Sequence, residues 1–173
     1  MEPDPALSLP LLTGSTPPGF APHALELSWR LPSSRQVLWD WLNDPRTFTR
    51  GQLPPFRVEF LPMPDGSPGG FVPGCRNAHH GPLMSFHGVI GEVREPEYRD
   101  LVYGYGSYAL SMRLARPRRL QFWFEEDGDG SRLRMRLDTD VRRGFGALWG
   151  GLNRFFWWNF GLSARLLLLF KRG

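Results

Sequence analysis

Apolar and polar positions alternate most strictly between Arg119 and Asp138, and that alternation dictates how the stretch folds. A turn at Gly128-Asp129 is a Gly-first pair suited to a type II′ hairpin. With the turn there, Phe124 faces Leu133, Phe122 faces Met135 and Leu120 faces Leu137. On the other face Glu125 meets Arg132, Trp123 meets Arg134, Gln121 meets Arg136 and Arg119 meets Asp138. Each pair is apolar with apolar, or one that attracts through charge, hydrogen bonding or a cation over a ring. A slip of one residue would reverse every side chain, so the register is set. The hairpin has one greasy face and one wet face, and something long and apolar must cover the first.

The segment Arg142 to Phe170 fits that need, reading as one long helix. Its apolar positions Phe145, Leu148, Leu152, Phe155, Phe156, Leu162, Leu166 and Phe170 form the face expected to pack on the sheet. Trp149, Trp157, Trp158, Phe160, Leu167 and Leu168 make its other sides apolar too. Such a helix is either buried or touches something apolar outside the monomer. Loops and the N-terminal arm, a homodimer partner and a membrane surface are the three candidate covers.

Upstream, residues 1–24 hold six prolines and no sustained period, and read as a flexible or extended arm before a domain spanning 25–173. Leu25, Leu27, Trp29 and Leu31 alternate with polar residues as a half-buried strand. Ser33 and Gln36 then match a capping box, with Val37, Leu38, Trp41 and Leu42 on one helical face. Asp44-Pro45 starts a second short helix, Asp44 as N-cap. Phe56, Val58 and Phe60 form another strand. Residues 62–82 carry five prolines and five glycines, a long loop that suits an entrance lid, with a short strand near Phe71-Val72 or from Cys75 to His79. Strands are expected at 84–94, 98–105 and 107–115, before the hairpin strands 118–126 and 131–140. Helices before and after a run of antiparallel strands define an α+β domain.

Composition narrows the function classes. Seven Trp and thirteen Phe in 173 residues mean an unusually aromatic core, or aromatic surface that faces a ligand or bilayer. The +4 formal charge comes from twenty Arg and the single Lys171, interspersed with acids. That dispersal indicates an ordinary solvated surface, not a nucleic-acid stripe. One cysteine, Cys75, excludes an internal disulfide framework and fits a reducing compartment. The first residues are acidic and lack the positive start of a secretory signal, so the expected location is cytoplasmic. The most apolar stretch, Gly144 to Ala164, contains Arg154, which is costly in hydrocarbon at roughly 2.5–3.5 kcal/mol.

The motifs resemble those of the START-like (SRPBCC) superfamily, which includes polyketide cyclases and dehydrases and lipid-transfer domains. Ser33 to Pro45 (SSRQVLWDWLNDP) is similar to that superfamily's opening helix. Gly88-Val89-Ile90-Gly91-Glu92-Val93 with Pro96 is similar to its mid-sheet strand and turn, and Gly128 to Asp140 to its late strand. The resemblance implies a helix-grip fold: a curved antiparallel sheet of six or seven strands around a long C-terminal helix, with two short helices after the first strand. It also implies a cavity for a lipid, isoprenoid or polyketide beneath that helix. It carries over no catalytic residue and no cofactor.

The residues expected to line such a cavity are Phe86, His87, Tyr103, Tyr105, Phe122, Phe124, Met135, Leu148, Leu152 and Phe156. Tyr103, Tyr105 and Ser107 share one strand face, where phenols could orient a ligand carbonyl or hydroxyl. His79 and His80 are adjacent, so on a strand they point to opposite faces and cannot share an ion. No Cys pair or HExxH run completes a metal set. Binding without chemistry is the leading expectation, ahead of catalysis. The alternatives are a cyclase- or dehydratase-type enzyme and an interaction module that uses the aromatic helix.

Overall fold

The computed structural model describes residues 14–49, 57–81, 84–106 and 113–170. In chain order the elements are β1 (Phe20–Leu31), α1 (Arg35–Asn43), α2 (Pro45–Thr49), β2 (Arg57–Phe60), β3 (Arg76–Gly81), β4 (Met84–Arg94), β5 (Tyr98–Gly106), β6 (Ala115–Asp127), β7 (Gly130–Arg142) and α3 (Gly146–Phe170). One curved seven-stranded sheet runs in the order β1-β7-β6-β5-β4-β3-β2, every neighbour antiparallel. This is the helix-grip α+β architecture. The expected strand over 107–115 falls largely outside the described residues, and β6 begins at Ala115.

The β6–β7 hairpin has the register that the alternation requires at all seven pairs from Glu125↔Arg132 to Arg119↔Asp138. Gly128 takes a positive φ of 64°, which the first central position of a primed turn demands and glycine supplies without strain. Phe122, Phe124, Leu133 and Met135 are all buried on the inner face. β1 extends the ladder by pairing with β7 from Phe20↔Arg142 to Leu31↔Ser131. It begins five residues before the alternation shows it. Pro22 is tolerated because β1 is an edge strand.

The first helix starts one residue later than its capping box implies. Ser34, not Ser33, accepts the Val37 backbone N–H at 3.4 Å, and Gln36 bonds Asp40 at 2.9 Å instead of closing the box. The shift turns Trp39 inward, edge-on to Phe124 at 4.9 Å, and leaves Val37 exposed. Asp44 caps α2 as expected, accepting from the Arg46 backbone N–H at 2.9 Å. The 62–82 stretch contains the short strand β3. Before it, Cys75 is fully buried, and its Sγ accepts from the Gly70 backbone N–H at 3.2 Å. That thiol pins the loop and seats Phe71 against Phe60 and Phe48, at 4.7 and 5.3 Å between ring centroids.

The C-terminal helix packs through a different face from the one expected. Trp149, Trp157, Ala164 and Leu168 are buried, while Leu148, Leu152, Phe155, Leu162 and Leu166 are exposed. The reason is the small residues. A Cβ on Gly161 would lie 2.0 Å from Trp29 Nε1, so glycine is what lets α3 press against β1. Close approach along Gly150, Gly161 and Ala164 wins over burial of the larger aliphatics, because it lets Trp157 reach Phe122 at 5.9 Å and Phe160 reach Trp29 and Trp41. No helix among the described residues is long and apolar enough to cross a membrane.

Candidate functional site

The inner face of β3, β4 and β5 carries polar groups where the inner face of a sheet is normally apolar. On β5, Arg99, Leu101 and Tyr103 point inward by alternation. Arg99 is opposite Phe122 of β6 and is 3% exposed. On β3, Asn77 and His79 point the same way, opposite Gly88 and Phe86 of β4. Gly88 makes room for Asn77: a Cβ there would sit 3.1 Å from the Asn77 Oδ1 and 2.6 Å from a Leu101 methyl. The Tyr103 ring is edge-on to His79 at 5.5 Å and to Phe86 at 6.1 Å.

Arg99 sits among aromatic rings. Its guanidinium carbon lies 3.9 Å from the centroid of Phe71, 4.9 Å from Phe122 and 5.8 Å from Phe48. Guanidinium is weakly hydrated and stacks well on rings, which offsets part of the cost of taking it from water. One of its amino groups donates to the Leu42 carbonyl at 3.4 Å, at the end of α1 where carbonyls lack helical partners. No carboxylate among the described residues pairs with it. Its Nε is buried with no partner, as are both amide atoms of Asn77. Buried polar groups are normally bonded, so three such atoms on one inner face are informative.

Burial governs the ionisation here. The Arg99 guanidinium is lowered to about 9, chiefly by desolvation. The His79 imidazole is lowered to about 4, first by burial and then by the charges of Arg99 and His80. The Tyr103 phenol is pushed up beyond its ordinary range by burial, with Arg99 pulling the other way. At neutral pH the set is therefore one cation, one neutral imidazole and one protonated phenol.

Several of the residues expected at a cavity do gather on this face: Phe86, Tyr103, Phe122 and Met135 are buried there, with Phe156 half-buried beside Trp157. Phe124 is buried too, but under Trp39 of α1. His87 lies between two buried inward positions, Phe86 and Gly88, so alternation sends it to the opposite face. The Tyr105 side chain falls outside the described residues. Leu148 and Leu152 lie on the exposed side of α3, at 57% and 55% exposure. Arg99, Asn77 and His79 were not anticipated as a group. The signal was present: extending the Tyr103 face back by two and four residues reaches Leu101 and Arg99.

The outer face is different in kind. Two open hollows of about 520 and 620 Å³ lie there and share Arg119, Arg136 and Asp138 in their walls. Neither opens beneath α3. The charged groups that the two hollows share are already engaged: Arg136 bonds Asp138 at 2.9 Å and Glu26 at 3.0 Å, and Arg119 bonds Asp100 at 2.6 Å. Solvated, mutually paired groups offer a ligand little that water does not. The inner cluster, with the Arg99 and Asn77 atoms buried and unpartnered, is the stronger candidate despite the open hollows outside.

The class defined by this geometry is the helix-grip fold of START-like proteins: curved sheet, two early helices, and a long last helix over the inner face. Solved structures agree. A START superfamily protein from Mycobacterium smegmatis superposes with a TM-score of 0.60 at 14% identity, over 83% of this chain and 94% of that one. A norcoclaurine synthase point mutant from Thalictrum flavum, in complex with a transition-state analogue, gives 0.57 at 11% identity, over 89% and 98%. Ara h 8.0201 gives 0.52 at 16% identity, over 71% and 80%. At these identities the likeness establishes the fold. No protein-family model matches the sequence, and no curated protein matches it.

Proposed function

We propose that this protein binds an apolar small molecule, such as a lipid, isoprenoid or polyketide, between the inner sheet face and α3, and carries or sequesters it in the cytoplasm. The observation that supports this best is the inner face itself. It combines a wall of Phe48, Phe71, Phe86 and Phe122 with buried polar atoms that no described residue satisfies. An apolar wall with a few fixed polar groups is the usual make-up of a small-molecule site. The two hollows described above lie on the outer face, so a ligand would reach the inner face past α3 or the Phe71 loop. The exposed stripe of α3, with Phe155 at 68% and Trp158 at 60%, gives the ligand a route to a bilayer or a second copy.

The test is native mass spectrometry of freshly purified protein, followed by organic extraction. A stoichiometric apolar adduct is the expected result. Protein that stays at its bare mass after incubation with lipid, isoprenoid and polyketide extracts would overturn the reading.

One observation favours a second reading, an enzyme of cyclase or dehydratase type. A neutral His79 beside a protonated Tyr103 and the Arg99 cation pairs a proton acceptor with donors for a developing enolate oxygen. Deuterium exchange at the carbon next to a bound ketone should then be faster with the native protein than with His79→Gln.

A further inference from the structure

We propose that Arg99 is the receptor for a single anionic group, so that the bound molecule is an apolar carboxylic acid in its ionised form. The inference rests on the binding reading above and specifies its ligand. Three features lead to it. Arg99 is nearly inaccessible to solvent and makes no ion pair with any described residue, although ten other described arginines do. Its Nε carries a buried, unused donor, and its one side-chain hydrogen bond among the described residues, to Leu42, is long. The adjacent acid, Asp100, points through the sheet to the other face and is consumed there by Arg119, Tyr98 and the Glu92 backbone.

A guanidinium presents its donors as a planar fork, and the matching partner is a carboxylate taken two-pronged. The single positive charge sets the count. One carboxylate neutralises it, whereas a phosphate monoester would leave a surplus negative charge buried beside an apolar wall. The Tyr103 phenol, kept protonated by burial, shares this inner face and feels the Arg99 charge. Phe71, Phe122 and Phe48 hold the guanidinium in place and exclude water, which strengthens a charged pair. An apolar tail would run from there along Phe86 and the rest of the inner wall.

The competing account is that Arg99 only caps the end of α1 through Leu42. Calorimetric titration with dodecanoate, 1-dodecanol and methyl dodecanoate separates the two. The acid should bind at least about tenfold more tightly than either neutral probe, the gain typical of a charge-assisted hydrogen-bonded pair. Arg99→Met should erase that preference and leave 1-dodecanol binding within about twofold, whereas Arg136→Gln on the outer face should leave the preference intact. Equal affinity for acid and alcohol in the native protein overturns the anion receptor while the binding reading stands. No binding of any probe overturns both. Because Arg99→Met could fail to fold, a second readout uses native protein alone. The ¹³C signal of carboxyl-labelled dodecanoate, bound and titrated, should stay ionised to lower pH than in water. A bound carboxyl that protonates at higher pH than in water would refute the pairing.

Discussion

Two neighbouring side chains on β5 show how differently the two faces of this sheet are built. Asp100 is 2% exposed on the outer face, and both its oxygens are used: Oδ1 accepts from the Glu92 backbone N–H at 2.8 Å, Oδ2 from Tyr98 at 3.1 Å and from Arg119 at 2.6 Å. Arg99 is 3% exposed on the inner face, with one long bond and a buried nitrogen that has no partner. Equal burial, opposite satisfaction. A buried charge whose partners are all present is part of the scaffold. One whose partners are missing costs stability that the scaffold does not recover, and it is the place to look for a ligand.

The contrast can be broken at several points. The largest effect is expected at Phe122, whose ring lies under the Arg99 guanidinium and edge-on to Trp157 in the inner wall. Phe122→Ala should cost about 3–5 kcal/mol of stability by urea unfolding, because it opens a cavity and removes the ring under the cation. A loss below about 1 kcal/mol would mean that the inner wall is not close-packed there.

Acid should act next most strongly, through His79. Its folded value of about 4 lies below the ordinary 6.5, so between those values the unfolded chain binds a proton that the folded one refuses. Stability must therefore fall as pH drops from about 6.5 to about 4, by up to about 3 kcal/mol, and this contribution is flat outside that window. His79→Gln lacks the proton site, so its stability relative to the native protein should rise by a similar amount across the same window. A difference that stays constant with pH would place His79 in solvent.

On the outer face, Asp100→Asn should cost about 2 kcal/mol, since it removes the charge that Arg119 and Tyr98 share while Arg119 can still reach water. A neutral result would show the outer lattice to be dispensable. The smallest effect on stability belongs to the exposed stripe of α3. Phe155→Ser should change unfolding by less than about 0.5 kcal/mol, yet reduce self-association or vesicle binding seen by sedimentation. A large loss of stability there would mean that the stripe is covered within the monomer.

How far each region could be read in advance follows from how local its determinants are. The hairpin register was legible because Phe122, Phe124, Leu133 and Met135 alternate against a turn that only glycine suits. The α2 start at Asp44-Pro45 was legible for the same reason. The α3 face was not. Its apolar residues occur all round, so the pattern could not choose a side, and the deciding contact was Gly161 against Trp29, more than a hundred residues away. Arg99 was missed because an arginine on an alternating strand reads as solvent-facing. Only its placement opposite Phe122 and under Phe71 shows it turned inward. His87 shows the reverse: a polar group beside inward residues is sent to the other face by the strict period of the strand.

The central claim is that the apolar ligand lies against the inner face of β3 to β6. Photolabelling with a diazirine-bearing alkyl probe, followed by tandem mass spectrometry of the labelled peptides, tests it most directly. Labels on Phe86, Tyr103 and Phe122, competed away by unlabelled probe, are the predicted result. Labels confined to Leu152, Phe155 and Trp158 would contradict it and make α3 the binding surface.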